Sequence, residues 1–532
     1  MNINLSLKEK IGQLFMIGFY GEELPAAVES FIEENNIGFV ILFSRNLGSI
    51  KHAAALTNHI HSLGKITPAI YTDQEGGLVV RFGEMAATVV SPMGLAASGK
   101  PRNARIAGRI IGREMKAVGI DGVLAPVCDV NIEEDNPVIG TRAFSDDPGI
   151  VTIYAAEFAA GLRESGAAAC AKHYPGHGGT AADSHLKIPI SPISPEYFFY
   201  YCFQPFAALA GLNIDAMMSA HVKFPQISHK IATFSPYFIR ELLREKAGFP
   251  GVVFSDCLEM KAVKDNFSPD AIVRNCIEAG IDVMCPSHHL DFQEALFRAF
   301  LSGAEKGKIS EKQIDDSLTR VVKLKERFHL LENRRLVNPA EAEGMSRHSL
   351  EEERDIAGQS ITLLRNRGKI IPVNANKKCL LIEWQAAKAT TDSYDKKTLS
   401  PLAVSAKKYL PNLESRVLNS GETIPAGLKS KLAGYDYIIA CPYSLNKKME
   451  RDQAKAIKQI IKSRKDVIVA ATGNPYDIRH FPKVDTYVVS YGFRQVQLDA
   501  LFRVLTGEIK PRGRLPVKMK GLFPRQFGLI LP

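Results

Sequence analysis

Within the fourteen residues Lys172–His185 stand one lysine, three histidines and one aspartate. A small apolar run, Gly166 to Ala171, leads into them and reads as a short buried strand. Pro175, Gly176, Gly178 and Gly179 then make the stretch a loop, and titratable groups on a loop at a strand end suggest chemistry. Asp183 stands two residues before His185, so its carboxylate can hold that imidazole in one tautomer and raise its basicity. A histidine so supported gives a proton near neutral pH and later removes one. The plainer reading is a turn capped by Asp183 with His185 in solvent. His173 and His177 have the spacing of helical metal ligands, but Pro175 and Gly176 break any helix between them, and no metal is expected.

A second candidate is Asp256, at the end of the apolar run Val252–Ser255. A carboxylate fixed there suits a nucleophile at an anomeric carbon, a metal ligand or a general base; otherwise it caps the helix that follows. Binding groups lie around these two. Asp73-Gln74-Glu75-Gly76-Gly77 is a polar loop after a strand, with oxygens that suit sugar hydroxyls, and Arg81 stands eight positions beyond Asp73. Arg142 lies on another loop, with Pro137 and Gly140. Lys172 and His173 complete a ring of donors. Two acids, an imidazole and several cations, without a metal or cofactor motif, favour hydrolytic or transfer chemistry on a polyhydroxylated substrate.

Such a ring needs elements that converge. Eight short apolar runs recur in the first 290 residues: Leu14–Phe19, Gly38–Phe43, Ala69–Thr72, Gly122–Val127, Ala167–Ala171, Ala216–Ser219, Val252–Ser255 and Asp282–Cys285. Helix-like segments lie between them, Ser49–Leu63, Ala104–Ala117 and Ile150–Glu164 among them. Apolar strands alternating with helices imply parallel pairing with both faces covered, and eight units predict a (β/α)8 barrel over residues 1–335. A doubly wound open sheet is the alternative. A barrel puts its active residues just after its strands, where Asp73, Asp129, Lys172, His173, His221 and Asp256 fall.

Ile309–Leu330 reads as one amphipathic helix. Residues 336–365 read as a linker and a connecting helix, Ser349–Leu364. Residues 366–532 read as a smaller α/β sandwich domain with strands Cys379–Ile382, Tyr437–Cys441, Val467–Ala471 and Thr486–Ser490. Gly473-Asn474-Pro475 lacks the glycine spacing and lysine of a phosphate loop, so no nucleotide cofactor is expected.

The 532 residues carry 67 Lys and Arg against 57 Asp and Glu, a net charge of +10. The basic residues are dispersed, in pairs such as Lys377-Lys378, so no nucleic-acid partner is expected. Eight cysteines form no C-x-x-C pair, which suits buried thiols in a reducing compartment. No apolar run reaches 18 residues and the N-terminal segment has no long apolar stretch. Neither membrane insertion nor a secretory signal is expected, which makes the cytoplasm the expected location.

Four segments carry specific motifs. Lys172–His185 reads K-H-Y-P-G-H-G-G-T-A-A-D-S-H, Asp73–Phe82 reads D-Q-E-G-G-L-V-V-R-F, Asn136–Phe144 reads N-P-V-I-G-T-R-A-F and Ser255–Met260 reads S-D-C-L-E-M. In these the chain resembles glycoside hydrolase family 3, specifically its bacterial β-N-acetylglucosaminidases, over most of the first 335 residues. Leu78 replaces the family's usual Arg and Cys257 its second Asp. Residues 345–532 resemble the second domain of two-domain members, including Gly473-Asn474-Pro475-Tyr476-Asp477. The resemblance implies a retaining mechanism. Asp256 would be the nucleophile and His185 the acid/base, paired with Asp183. Asp73, Arg81, Arg142, Lys172 and His173 would bind the terminal N-acetylglucosamine. It further implies a peptidoglycan-derived substrate, N-acetylglucosamine β-linked to anhydro-N-acetylmuramic acid, met in cell-wall recycling. A phosphorylase using the same Asp-His dyad and a non-catalytic sugar-binding protein are the alternatives. The glycines between Lys172 and His185 would let that loop close over substrate.

Overall fold

The computed structural model describes residues 5–87, 89–180, 188–331, 336–345, 350–385, 400–419, 421–444 and 449–531. Asp183 and His185 lie outside the described residues. All eight apolar runs pair as strands. Seven form a parallel sheet in sequential order: Met16–Ile17, Phe39–Leu42, Ala69–Thr72, Gly122–Val123, Ala168–Tyr174, Ala216–Ser219 and Val252–Ser255. The eighth run closes the ring, because Val283 bridges to Phe254 and Met284 to Phe15. Sequential order with closure is a barrel; a doubly wound sheet would reverse its strand order at a switch point.

The barrel is filled, not hollow. The rings of Phe39, Tyr71 and Phe254 meet edge-on with centroids 5.3–5.8 Å apart. Gly122 makes room for them, since a Cβ there would lie 2.1 Å from the Tyr71 ring. The helix Glu311–Arg327 closes the opposite end from the strand termini. Its buried Lys325 donates to Gln13 Oε1 at 2.8 Å and the Thr67 carbonyl at 2.9 Å, below the Phe39 ring.

The helices Pro101–Ala117 and Pro148–Glu164 pack with glycines at their contact. A Cβ at Gly161 would lie 2.0 Å from the Arg105 carbonyl oxygen, and one at Gly108 2.2 Å from that of Phe158. Gly161→Ala is therefore expected to destabilise the fold. Overpacking costs about 1–3 kcal/mol and alanine's helix propensity returns about 1. A lower melting temperature checks this; an unchanged one would mean that the helices slide apart freely.

The second sheet has six strands in the order Thr362–Asn366, Thr486–Val489, Val467–Ala471, Tyr437–Cys441, Cys379–Gln385, Leu413–Asn419. The expected helix Ser349–Leu364 is corrected here. The helix is Leu350–Ser360, and Thr362–Asn366 is an antiparallel edge strand on Thr486–Val489. The second domain also holds the barrel loops. Arg494 Nε donates to the Gly77 carbonyl at 2.7 Å, and Arg479 pairs with Glu134 at 2.6 Å. Arg525 reaches Asp146 at 2.8 Å and Asp147 at 2.9 Å, and Asn131 donates to Tyr476 Oη at 3.1 Å. Among the described residues no helix is long and apolar enough to cross a membrane.

Candidate active site

Six of the eight expected site residues lie in the described structure, and all six line one cavity of about 520 Å³ at the C-terminal ends of the barrel strands: Asp73, Arg81, Arg142, Lys172, His173 and Asp256. The strand Ala168–Tyr174 is buried throughout and delivers two of them. Alternation would point Lys172 and His173 to opposite faces. The register against Ala216–Ser219 shifts between Lys172 and Tyr174, and this bulge re-aims the side chains so that both face the cavity.

Lys172 is the hub. Its Nζ lies 2.7 Å from Asp73 Oδ1 and 2.7 Å from Glu75 Oε1. Asp73 also takes Arg81 at 2.6 Å. Glu75 takes Arg142 in a two-pronged pair, Nε and Nη2 each at 2.8 Å. The hairpin Gln74–Gly76 with Val79–Val80 presents both acids. Burial alone would raise both carboxyls, but the cations outweigh it. Lys172 and Arg81 hold Asp73 far below the ordinary carboxylate range, and Arg142 with Lys172 holds Glu75 at about 2. The Lys172 ammonium is raised despite its burial, by Asp73 and Glu75. This clamp is fully ionised, nearly dry and preorganised, which suits a ligand presenting several hydroxyls.

His173 is fixed from below. Its Nδ1 lies 2.7 Å from Asp129 Oδ2, and Arg142 Nη2 lies 3.3 Å from its Nε2. Donation from Nδ1 to the carboxylate leaves Nε2 to accept from the guanidinium, which sets the tautomer. Asp129 also accepts from the backbone N–H of His177 at 2.5 Å. Burial pushes the His177 imidazole down to about 4, so it is neutral at pH 7. The i, i+4 pair His173–His177 thus ends a strand and opens a loop; it does not share a helix face.

Asp256 stands at the floor's edge. Its backbone N–H donates to the Ser219 carbonyl at 3.1 Å, and its Oδ1 accepts from Cys257 N–H at 2.7 Å. It does not cap the following helix, Lys261–Lys264, whose N-cap is Met260. Cys257 lines the same cavity, and burial pushes its thiol up to about 11, so it remains protonated. His221 turns to Thr233 Oγ1 at 2.9 Å and the Cys257 carbonyl at 3.0 Å, which supports the floor. A larger groove of about 840 Å³ lies among the helices near Arg354, Asp499 and Arg503, but its ions pair at the surface, as Arg503 does with Glu508 at 2.7 Å.

Glu75 was expected only as part of the polar loop after Thr72, Asp129 only as a strand-end residue, and His177 was given no role. Strand alternation was the available signal for Glu75, since residues 73 and 75 share a face.

The glycosyl hydrolase family 3 N terminal domain matches residues 6–324, and the family's C-terminal domain matches residues 361–522. A β-hexosaminidase of Alkalilimnicola ehrlichii is 38% identical over 289 residues, 53% of this chain and 83% of its own. β-Hexosaminidase A of Pseudoalteromonas piscicida is 26% identical over 558 residues, 93% of this chain and 91% of its own. A solved family 3 β-N-acetylglucosaminidase from a Paenibacillus species matches with a TM-score of 0.87 at 32% identity, over 97% of this chain and 99% of that one. The chain belongs to glycosyl hydrolase family 3 and is a glycoside hydrolase.

Proposed function

We propose that the chain is a retaining exo-β-N-acetylglucosaminidase that removes terminal N-acetylglucosamine from peptidoglycan fragments in cell-wall recycling. The observation that carries this reading is Asp256 at a strand end, in one cavity with the Asp73–Lys172–Glu75–Arg142 clamp. The clamp binds the sugar's hydroxyls and places its anomeric carbon over Asp256. The Asp256 carboxylate attacks that carbon while His185, supported by Asp183, gives its proton to the glycosidic oxygen. The C–O bond to the aglycone breaks and a covalent glycosyl-enzyme forms. His185 then takes a proton from water, the hydroxide attacks the same carbon, and Asp256 leaves. Two inversions give net retention. A cytoplasmic site of action suits eight cysteines that are all unpaired thiols.

Incubation with 4-nitrophenyl β-N-acetylglucosaminide is the test. Nitrophenol should be released, and proton NMR should show the β-anomer of N-acetylglucosamine first. Added phosphate should leave the product unchanged. Sugar 1-phosphate as product would turn the assignment to a phosphorylase, and an inert wild type would turn it to a sugar-binding protein.

A further inference from the structure

The acids of the clamp stand on a very short hairpin. Glu75 lies in its first strand, Gln74–Gly76, which pairs with Val79–Val80 through the turn Gly77-Leu78. Asp73 comes directly before it and Arg81 directly after. Two strands of this length do not hold their own shape in water. The clamp nevertheless leaves little room for movement. Lys172 Nζ is 2.7 Å from both acids, and Arg142 meets Glu75 twice at 2.8 Å. A tilt of the hairpin by about 1 Å would open these pairs, so the turn must be fixed from outside.

Two contacts fix it. Gly76 and Gly77 are both left-handed, with φ of +88° and +58°, and they lay the turn on residues 89–91. The Gly77 N–H donates to the Val89 carbonyl at 3.0 Å, and a Cβ on Gly77 would lie 2.4 Å from Ser91 Cβ. The Gly77 carbonyl then faces the second domain, where Arg494 Nε donates to it at 2.7 Å. Arg494 is the N-cap residue of the helix Gln495–Leu505. Its side chain is 16% exposed, lies 4.0 Å from Glu84 Oε1 and packs 5.4 Å from the Phe493 ring centroid. The loop before it is tied down. Gln497 Nε2 donates to the Ser490 carbonyl at 2.9 Å, Ser490 Oγ to the Gly492 carbonyl at 2.9 Å, and Tyr491 Oη to Thr362 Oγ1 at 2.9 Å. Ser91 Oγ donates to the Tyr491 carbonyl at 2.7 Å. One second-domain loop therefore grips both the turn and the segment on which the turn rests.

We propose that Arg494 is a positioning residue for the sugar site. Through the Gly77 carbonyl it fixes the hairpin that presents Asp73, Glu75 and Arg81, and so the second domain sets the binding geometry of the barrel. Arg494 does not itself line the cavity. A guanidinium donor makes this single bond a strong one, and it acts two residues from Glu75. The inference rests on the reading of the clamp as the place where the terminal sugar binds, and it assigns the second domain a part in that binding.

The test reads KM for 4-nitrophenyl β-N-acetylglucosaminide and, by calorimetry, Kd for N-acetylglucosamine. In Arg494→Ala both should rise about tenfold or more, while kcat falls less than threefold. Arg494→Lys should recover part of the loss, since it keeps a cationic donor without the planar fork. Gln359→Ala is the control. It cuts another joint, where Asn103 Nδ2 donates to Gln359 Oε1 at 3.0 Å on the outer helices. It should lower the melting temperature and leave KM and Kd at their wild-type values. Wild-type KM and Kd in Arg494→Ala would overturn the proposal. So would an equal rise in Gln359→Ala, which would assign the effect to a loosened domain joint in general. A wild type without turnover would overturn the glycosidase reading alone, because Kd for N-acetylglucosamine would still decide the role of Arg494.

Discussion

Asp256→Ala should lower kcat on 4-nitrophenyl β-N-acetylglucosaminide by on the order of 10⁴-fold, which is about 5.5 kcal/mol of barrier. The fold should survive the change. The Asp256 backbone is held by the Ser219 carbonyl and the preceding strand by Val283, neither through the carboxylate. The clamp should survive as well, since Asp73, Glu75, Lys172, Arg81 and Arg142 pair with one another and not with Asp256. KM should therefore change much less than kcat, the signature of a group that acts on the transition state and not on ground-state binding. Chemical rescue sharpens the assignment. Removal of the carboxylate leaves space for azide, which attacks the anomeric carbon from the face Asp256 occupied while nitrophenolate departs from the opposite face. One inversion gives the α-glycosyl azide, identifiable by NMR. A variant within tenfold of wild-type kcat, or rescue that yields the β-azide, would remove Asp256 from the nucleophile's role.

The barrel is legible in the sequence because parallel strands covered on both faces have no polar alternation to hide in. Each of the eight runs is apolar through its middle, and each forms ladder or bridge pairs. The two strands of the second sheet missing from the expectation are both edges. Leu413–Asn419 interleaves Glu414 and Arg416 with Leu413 and Val417, and it pairs only with Cys379–Gln385. Thr362–Asn366 follows a helix with no turn residue between, so periodicity runs straight through the boundary. Site residues at strand ends are legible for the same geometric reason as the strands. Their pairings are not, because Glu75 meets Arg142 across 67 positions and Asp129 meets His173 across 44. Charge balance offers a route to one of them. Arg81, Arg142 and Lys172 gathered around Asp73 alone would bury two uncompensated cations, so a further acid is required, and Glu75 supplies it.

That balance sets the second large effect. Lys172→Met keeps the volume of the side chain and removes the charge shared by Asp73 and Glu75. Each carboxylate keeps one arginine, but the cation between them is lost. Breaking a buried pair in this way costs about 3–5 kcal/mol, and the lost donor should also raise KM steeply. The pH dependence separates charge from packing. Asp73 and Glu75 have folded values below their ordinary ones, Glu75 falling from 4.5 to about 2. Groups of this kind stabilise the fold fully above the ordinary carboxylate value, and the stabilisation is lost as pH falls through the folded value. In the wild type the Glu75 contribution therefore drains between about pH 4.5 and 2, and that of Asp73 lower still. Without Lys172, burial's upward push on both carboxyls is less opposed, so the folded values rise and less stabilisation is left to lose as the pH falls. The difference in melting temperature between wild type and Lys172→Met should be greatest near pH 7 and should narrow as the pH falls toward 2. A difference that stays constant across that range would assign the contribution of Lys172 to packing and not to the clamp.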